Sequence, residues 1–183
     1  MVIAIIAQAA LLLYHQSTTW CDFFPFNGVR FTKASERRVE AAVNFILMTL
    51  PLIGFGLRWA PLMKFGLVYY VALFAIECAT WWAPYFFGAS QKWLDIYTRV
   101  HSKTINLLPR RERNPMPNLE HLILMGLTLL AAASTWIGYR EICVGPIPSL
   151  WIGWVVGIFL TVGTASQMVG NAKIPNENIT QGS

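Results

Sequence analysis

Glu40, Asn44, Glu77, Glu120 and His121 are the residues of this chain whose types and positions suit chemistry. Each can exchange a proton or orient one, and each lies inside or beside a long apolar run. Glu77 is the sharpest case, because it is the one charged residue between Phe65 and Phe87. Roughly 20 apolar residues span a bilayer as a helix, and a carboxylate held there costs on the order of 2.5–3.5 kcal/mol or more unless something compensates it. Such an acid is expected to have either a partner or a task. The task that fits is proton exchange, with Glu77 as the acid/base or proton-carrying group and Glu40, Asn44, Glu120 and His121 orienting it.

Spacing supports a common location. Glu40, Asn44, Leu47 and Pro51 follow one another at helical intervals, so one face of their helix is polar at its start and notched in the middle. Glu77, Thr80, Trp81 and Pro84 form a similar face on the next helix, and His15 and Asp22 lie near the end of the first apolar run. Neighbours on a helix point about 100° apart, so Glu120 and His121 can serve one site only if it lies between two helices. Carboxylates and imidazoles gathered in a low-dielectric setting suit proton transfer or metal binding. An interfacial role competes with this for Glu36, Glu40 and Glu120, which sit in first helical turns where the helix dipole alone favours a negative charge. His101, on a surface segment, is expected to face solvent.

Other chemistries find less in the chain. No HExxH, ExxH or histidine cluster marks a metal centre, and no GxSxG marks a nucleophile. The sequence therefore names no cofactor and leaves the metal question open. Cys21, Cys78 and Cys143 show no ligand spacing and fall at different depths, which argues against a disulfide framework.

The elements that must position these groups are apolar helices. Hydrophobic residues make up 55% of the chain and charged ones 13%, with a mean hydropathy of +0.47. A soluble domain of that balance would be covered in apolar patches. The expected fold is all-α: a polytopic integral membrane helical bundle of about five transmembrane helices, with spans near 2–20, 39–57, 62–87, 119–139 and 147–169. They form one domain over 1–170, followed by a disordered tail over 171–183. Ser35 and Glu36 are placed to cap the second span. Trp93, Ile96, Tyr97, Val100, Thr104 and Leu107 recur at helical spacing against Lys92, Asp95, Arg99, Ser102 and Lys103, which predicts an interfacial amphipathic helix over 90–108, capped by Ser90. Trp20, Trp59, Trp81, Trp82, Trp136 and Trp151 fall near predicted boundaries, as an interfacial belt would.

Ten of the fourteen Lys and Arg residues lie in the first-to-second and third-to-fourth connections. The positive-inside rule then places both connections in the cytoplasm, the N-terminus outside and the C-terminus inside. The same bias accounts for the net charge of +5 through topology and membrane lipid, and no nucleic acid is expected because the basic residues form no groove lined with stacking aromatics. Gly153 and Gly157 begin a small-residue stripe suited to a close helix contact, within the bundle or with another subunit.

Two short stretches resemble known families. Glu36-Arg37 with Ala41, Val43 and Asn44 is similar to the membrane-associated eicosanoid and glutathione metabolism family, although Glu40 stands where that pattern has Arg and Leu47 where it has an acid. Glu77 ahead of Pro84-Tyr85-Phe86-Phe87, with Thr18 and Asp22, resembles the sterol isomerase and sigma-2 receptor group, whose hydropathy order differs. Neither assigns the chain. The expectation is a small membrane enzyme or carrier acting on a lipophilic small molecule at the cytoplasmic leaflet; the alternative is a non-catalytic accessory subunit or assembly factor of a membrane complex.

Overall fold

The computed structural model of the protein describes residues 1–111 and 114–143. The expected fifth span, its Gly153 and Gly157, and the tail fall outside the described residues. Within them the chain is all-helical, and four helices are long and apolar enough to cross a membrane. These are α1 (Val2–Trp20), α2 (Ala34–Gly56), α3 (Ala60–Phe87) and α5 (Leu119–Cys143). A shorter helix, α4 (Gln91–Val100), lies in the connection between α3 and α5. The protein is a helical membrane bundle.

The four long helices form a ring. α1 packs on α2 and α5, and α3 packs on the same two neighbours. Each pair runs antiparallel: Gln8 of α1 donates to Thr135 of α5 at 2.7 Å, while Tyr14, further along α1, reaches back to the Glu120 carbonyl at 2.8 Å. Large apolar side chains such as Ile3, Ile6, Val43, Ile46, Val68, Ile76, Leu130 and Ile137 point outward and stay exposed. Small and polar ones, among them Ala4, Ala7, Gln8, Thr128, Ala131 and Thr135, are buried. Lipid is as apolar as leucine, so large side chains gain nothing by turning inward, and the helices associate through close packing and interhelical hydrogen bonds.

Helices α2 and α3 approach each other closely toward the end that holds their turn. A Cβ on Gly54 would lie 2.7–2.9 Å from atoms of Leu62 and Met63, and one on Gly66 would lie 2.8 Å from Pro51. Ala4, Phe55 and Met63 seal this end, and a second cluster of Leu11, Met48, Tyr70 and Ala131 fills the next level.

The opposite end is roofed by the basic connections. Asn27 is fully buried there, donating to the carbonyls of Thr18 and Cys21 and accepting from the Phe23 N–H, so the chain leaving α1 is pinned by one side chain. Gly28 lets this loop touch Val100, since a Cβ would sit 2.5 Å from its carbonyl oxygen.

Several local expectations are corrected. α2 begins at Ala34 with Lys33 in the cap position and no side-chain cap; Glu36 instead meets Lys33 at 3.9 Å and Arg99 of α4 at 3.8 Å. α4 stops at Val100 and does not continue to 108, because Thr104 and Asn106 bond to nearby backbone carbonyls and compete with the helix. Ser90 does cap its start. Within α3 a π-turn occupies Cys78–Trp82, with the Ala83 N–H reaching Cys78. Pro84 has no N–H to offer Thr80, which explains why the hydrogen-bond ladder widens there.

Candidate functional site

The polar residues of the spans meet at the roofed end. Glu77, on the inner face of α3 just before the π-turn, is 7% exposed. Its Oε1 lies 3.0 Å from Thr128 Oγ of α5, and its Oε2 has no hydrogen-bond partner among the described residues. Thr128 Oγ is also 3.0 Å from the Leu124 carbonyl. A hydroxyl has one proton to donate and two lone pairs to accept with. When Glu77 is ionised, Thr128 can donate to it. When Glu77 is protonated, it can donate to Thr128, whose own proton turns to Leu124. The Oε1–Thr128 hydrogen bond can be kept in both protonation states without a change of backbone.

A second group lies closer to the roof. His15 of α1, 6% exposed, places Nε2 3.8 Å from Glu40 of α2, whose side chain is 55% exposed. Asn44, one turn on, donates to the Glu40 carbonyl at 3.0 Å and accepts from Tyr69 of α3 at 3.3 Å. Tyr69 is in turn near enough to Glu77 to interact electrostatically. Hydrogen bonds thus run from the Glu40 backbone carbonyl through Asn44 to Tyr69, beside Glu77, while the Glu40 carboxylate itself faces His15.

Glu120 and His121 open α5. His121 Nδ1 is 3.9 Å from Glu120 and 2.5 Å from Asn118 Oδ1, which also accepts the His121 backbone N–H at 3.1 Å. That backbone donor fixes the Asn118 amide with its oxygen toward the ring, so the neutral imidazole carries its proton on Nδ1. The buried Asn118 is held through its nitrogen by Thr104 at 2.9 Å. Glu120 and Glu40 lie within electrostatic reach of each other, as do His121 and His15. The adjacent acid and imidazole of α5 thus both lie near groups of the neighbouring helices.

Of the five predicted residues, Glu77, Glu120 and His121 lie at this end of the bundle interior, Asn44 is half-buried beside it and Glu40 is exposed at its edge. Asp22 does not join them; it is exposed and pairs with Arg30 at 2.9 Å. His101 was expected in solvent, yet its ring stands 5.0 Å from Trp81 and 5.2 Å from His121. Burial pushes its pKa down to about 4, so it is neutral at pH 7. Trp81, expected in the interfacial belt, is buried in the bundle, 3% exposed and 4.1 Å from the His121 ring. The π-turn presents it inward beside Glu77. Thr128, Tyr69, Asn118 and Tyr14 were missed. Their one signal was a polar group at an inward helical interval, which in lipid needs a partner. Among the described residues no three His, Cys, Asp or Glu side chains are disposed to hold a metal ion.

No protein-family model matches this chain, nor does any curated protein or solved structure.

Proposed function

We propose that this chain is a small membrane enzyme or carrier that handles a lipophilic small molecule through a buried proton-exchanging site centred on Glu77. The observation that supports the reading is the Glu77–Thr128 pair, whose hydrogen bond can persist with the acid charged or neutral. A purely structural carboxylate would be expected to have both oxygens locked by donors. Glu77 Oε2 is buried without such a donor, and it is the atom that would give or take a proton from a bound molecule. Tyr69, Leu73, Leu124 and Leu127 pack in the adjacent core, so the surroundings suit an apolar guest. Glu40, its side chain half open on α2, and Tyr69, within electrostatic reach of Glu77, are the groups through which Glu77 would re-equilibrate with the aqueous face. Glu120 and His121 orient the entrance. The lysine and arginine bias puts this end in the cytoplasm, with the N-terminus outside.

A lipophilic carbodiimide, which reacts with protonated carboxyl groups in apolar surroundings, tests the reading. It is expected to modify Glu77 in the purified protein, while a water-soluble carbodiimide modifies Glu40 and spares Glu77. Co-purifying lipophilic molecules should protect Glu77. An unmodified Glu77 that is indifferent to such molecules would favour the accessory-subunit alternative.

A further inference from the structure

Where α3 ends, Gly88 takes a positive φ of 90° and turns the chain back over the last helical turn. A groove of about 300 Å³ opens there, lined by Phe86, Phe87, Arg111 and Asn114. Its cationic wall is held in place by the fold. Tyr85 donates to the Pro109 carbonyl at 2.9 Å, Asn114 donates to the Tyr85 carbonyl at 3.0 Å, and the Asn114 N–H bonds to the Arg111 carbonyl at 2.9 Å. The Arg111 guanidinium lies 5.2 Å from the Phe86 ring and 5.7 Å from the Tyr85 ring. Aromatic contact occupies the face of a guanidinium and leaves its N–H edge for a planar or tetrahedral oxyanion. Among the described residues no carboxylate pairs with Arg111.

We infer that this groove binds the headgroup of an anionic phospholipid, with its phosphate on Arg111 and Asn114 and its acyl chains against Phe86 and Phe87. Position and size decide the occupant. Phe86 and Phe87 are 47% and 56% exposed on the last turn of a spanning helix, so their outer faces meet lipid where headgroups begin. Ligand pockets run from about 300 to 1,000 Å³, so this one takes a headgroup and leaves the chains outside. Basic pockets at the ends of transmembrane helices are suited to anionic headgroups, and the surrounding connections are already rich in Lys and Arg. This site is separate from the Glu77 cluster and does not depend on it.

The full chain, purified in an uncharged detergent, is titrated with phosphatidylglycerol, phosphatidylcholine or inorganic phosphate, and retained adducts are counted by native mass spectrometry. Phosphatidylglycerol should be held about tenfold or more over phosphatidylcholine, the range expected for one charged hydrogen-bonding anchor. Arg111→Gln should erase that preference with an unchanged melting temperature, Arg111→Lys should keep a reduced preference, and Phe86→Ala should weaken lipid retention. Arg30→Gln, which removes a charge elsewhere on the same end, should leave the preference intact. Equal retention in Arg111→Gln and wild type would overturn the site, and equal losses in Arg30→Gln and Arg111→Gln would reduce it to general surface charge. Displacement of the lipid by inorganic phosphate at similar concentration would make it a free-anion site and overturn the lipid assignment.

Discussion

The two ends of the bundle are built from opposite materials. At the α2–α3 turn, Gly54 and Gly66 bring the helices together beside Ala4, Phe55 and Met63, and the Met1–Glu141 ion pair of that end stays partly exposed. At the other end His15, Glu77, Glu120 and His121 turn inward, with the exposed Glu40 at their edge, under a roof of buried asparagines and aromatic rings. The difference teaches that close packing and buried polarity divide the labour in a small membrane protein. One end supplies the dispersion and backbone contact that hold helices together in lipid. The other then carries polar groups whose burial would by itself disfavour association.

The largest expected effect is all-or-none and concerns which end faces which compartment. Cysteines introduced by Lys33→Cys and Arg111→Cys should react with an impermeant maleimide from one side only, and Arg140→Cys only from the other. Labelling of Arg111→Cys and Arg140→Cys from the same side would break the two-ended picture.

Next come the tight contacts. Gly54→Ala should lower stability by about 1–3 kcal/mol, because its Cβ meets the backbone of α3. Gly126→Ala, where nothing lies within 4 Å, should be neutral or stabilising by up to about 1 kcal/mol. Melting curves in detergent compare them, and equal shifts would mean that the turn end is not specially packed.

At the polar end, Thr128→Val removes the donor from Glu77 and should cost about 1–3 kcal/mol, the price of an unsatisfied buried group. Adding Glu77→Leu should restore much of that loss, since replacing both partners by apolar groups can be nearly neutral. Glu77→Gln should fold normally and lose the carbodiimide reaction. A double variant no more stable than Thr128→Val would show that the two side chains are not coupled.

His101 sharpens the comparison through pH. Its pKa falls from an ordinary 6.5 to about 4 on folding, so between those values the unfolded chain binds more protons and stability rises with pH. The stabilisation is complete above about pH 6.5 and is lost as pH falls toward 4. His101→Phe should flatten this part of the wild-type profile; a superimposable profile would mean that the ring is not held in its buried position. The smallest effect belongs to Arg99→Gln. Its exposed contact with Glu36 at 3.8 Å is worth about 0–1 kcal/mol and should fade with added salt.

Apolar length made four helices of membrane-spanning length legible, because a helix in lipid must satisfy its own backbone and a run of about 20 apolar residues has few other solutions. That Glu77 would need a partner or a task was legible as well, since a lone acid in such a run is costly to leave uncompensated. The end of α4 was less so: periodicity continues through Thr104 and Leu107, whereas the side-chain hydrogen bonds that stop the helix at Val100 depend on the fold.

Tertiary structure alone decided the partners. Thr128 looks like any threonine in an apolar run until α5 packs on α3 and sets its hydroxyl against Glu77. His101 and Trp81 read as surface and belt residues until the π-turn and the return of α4 bring both rings to His121. Hydropathy is a one-dimensional property of each segment and fixes how many helices cross. Which inward group meets which is set by helix rotation and register, and those are determined by contacts between segments far apart in the chain.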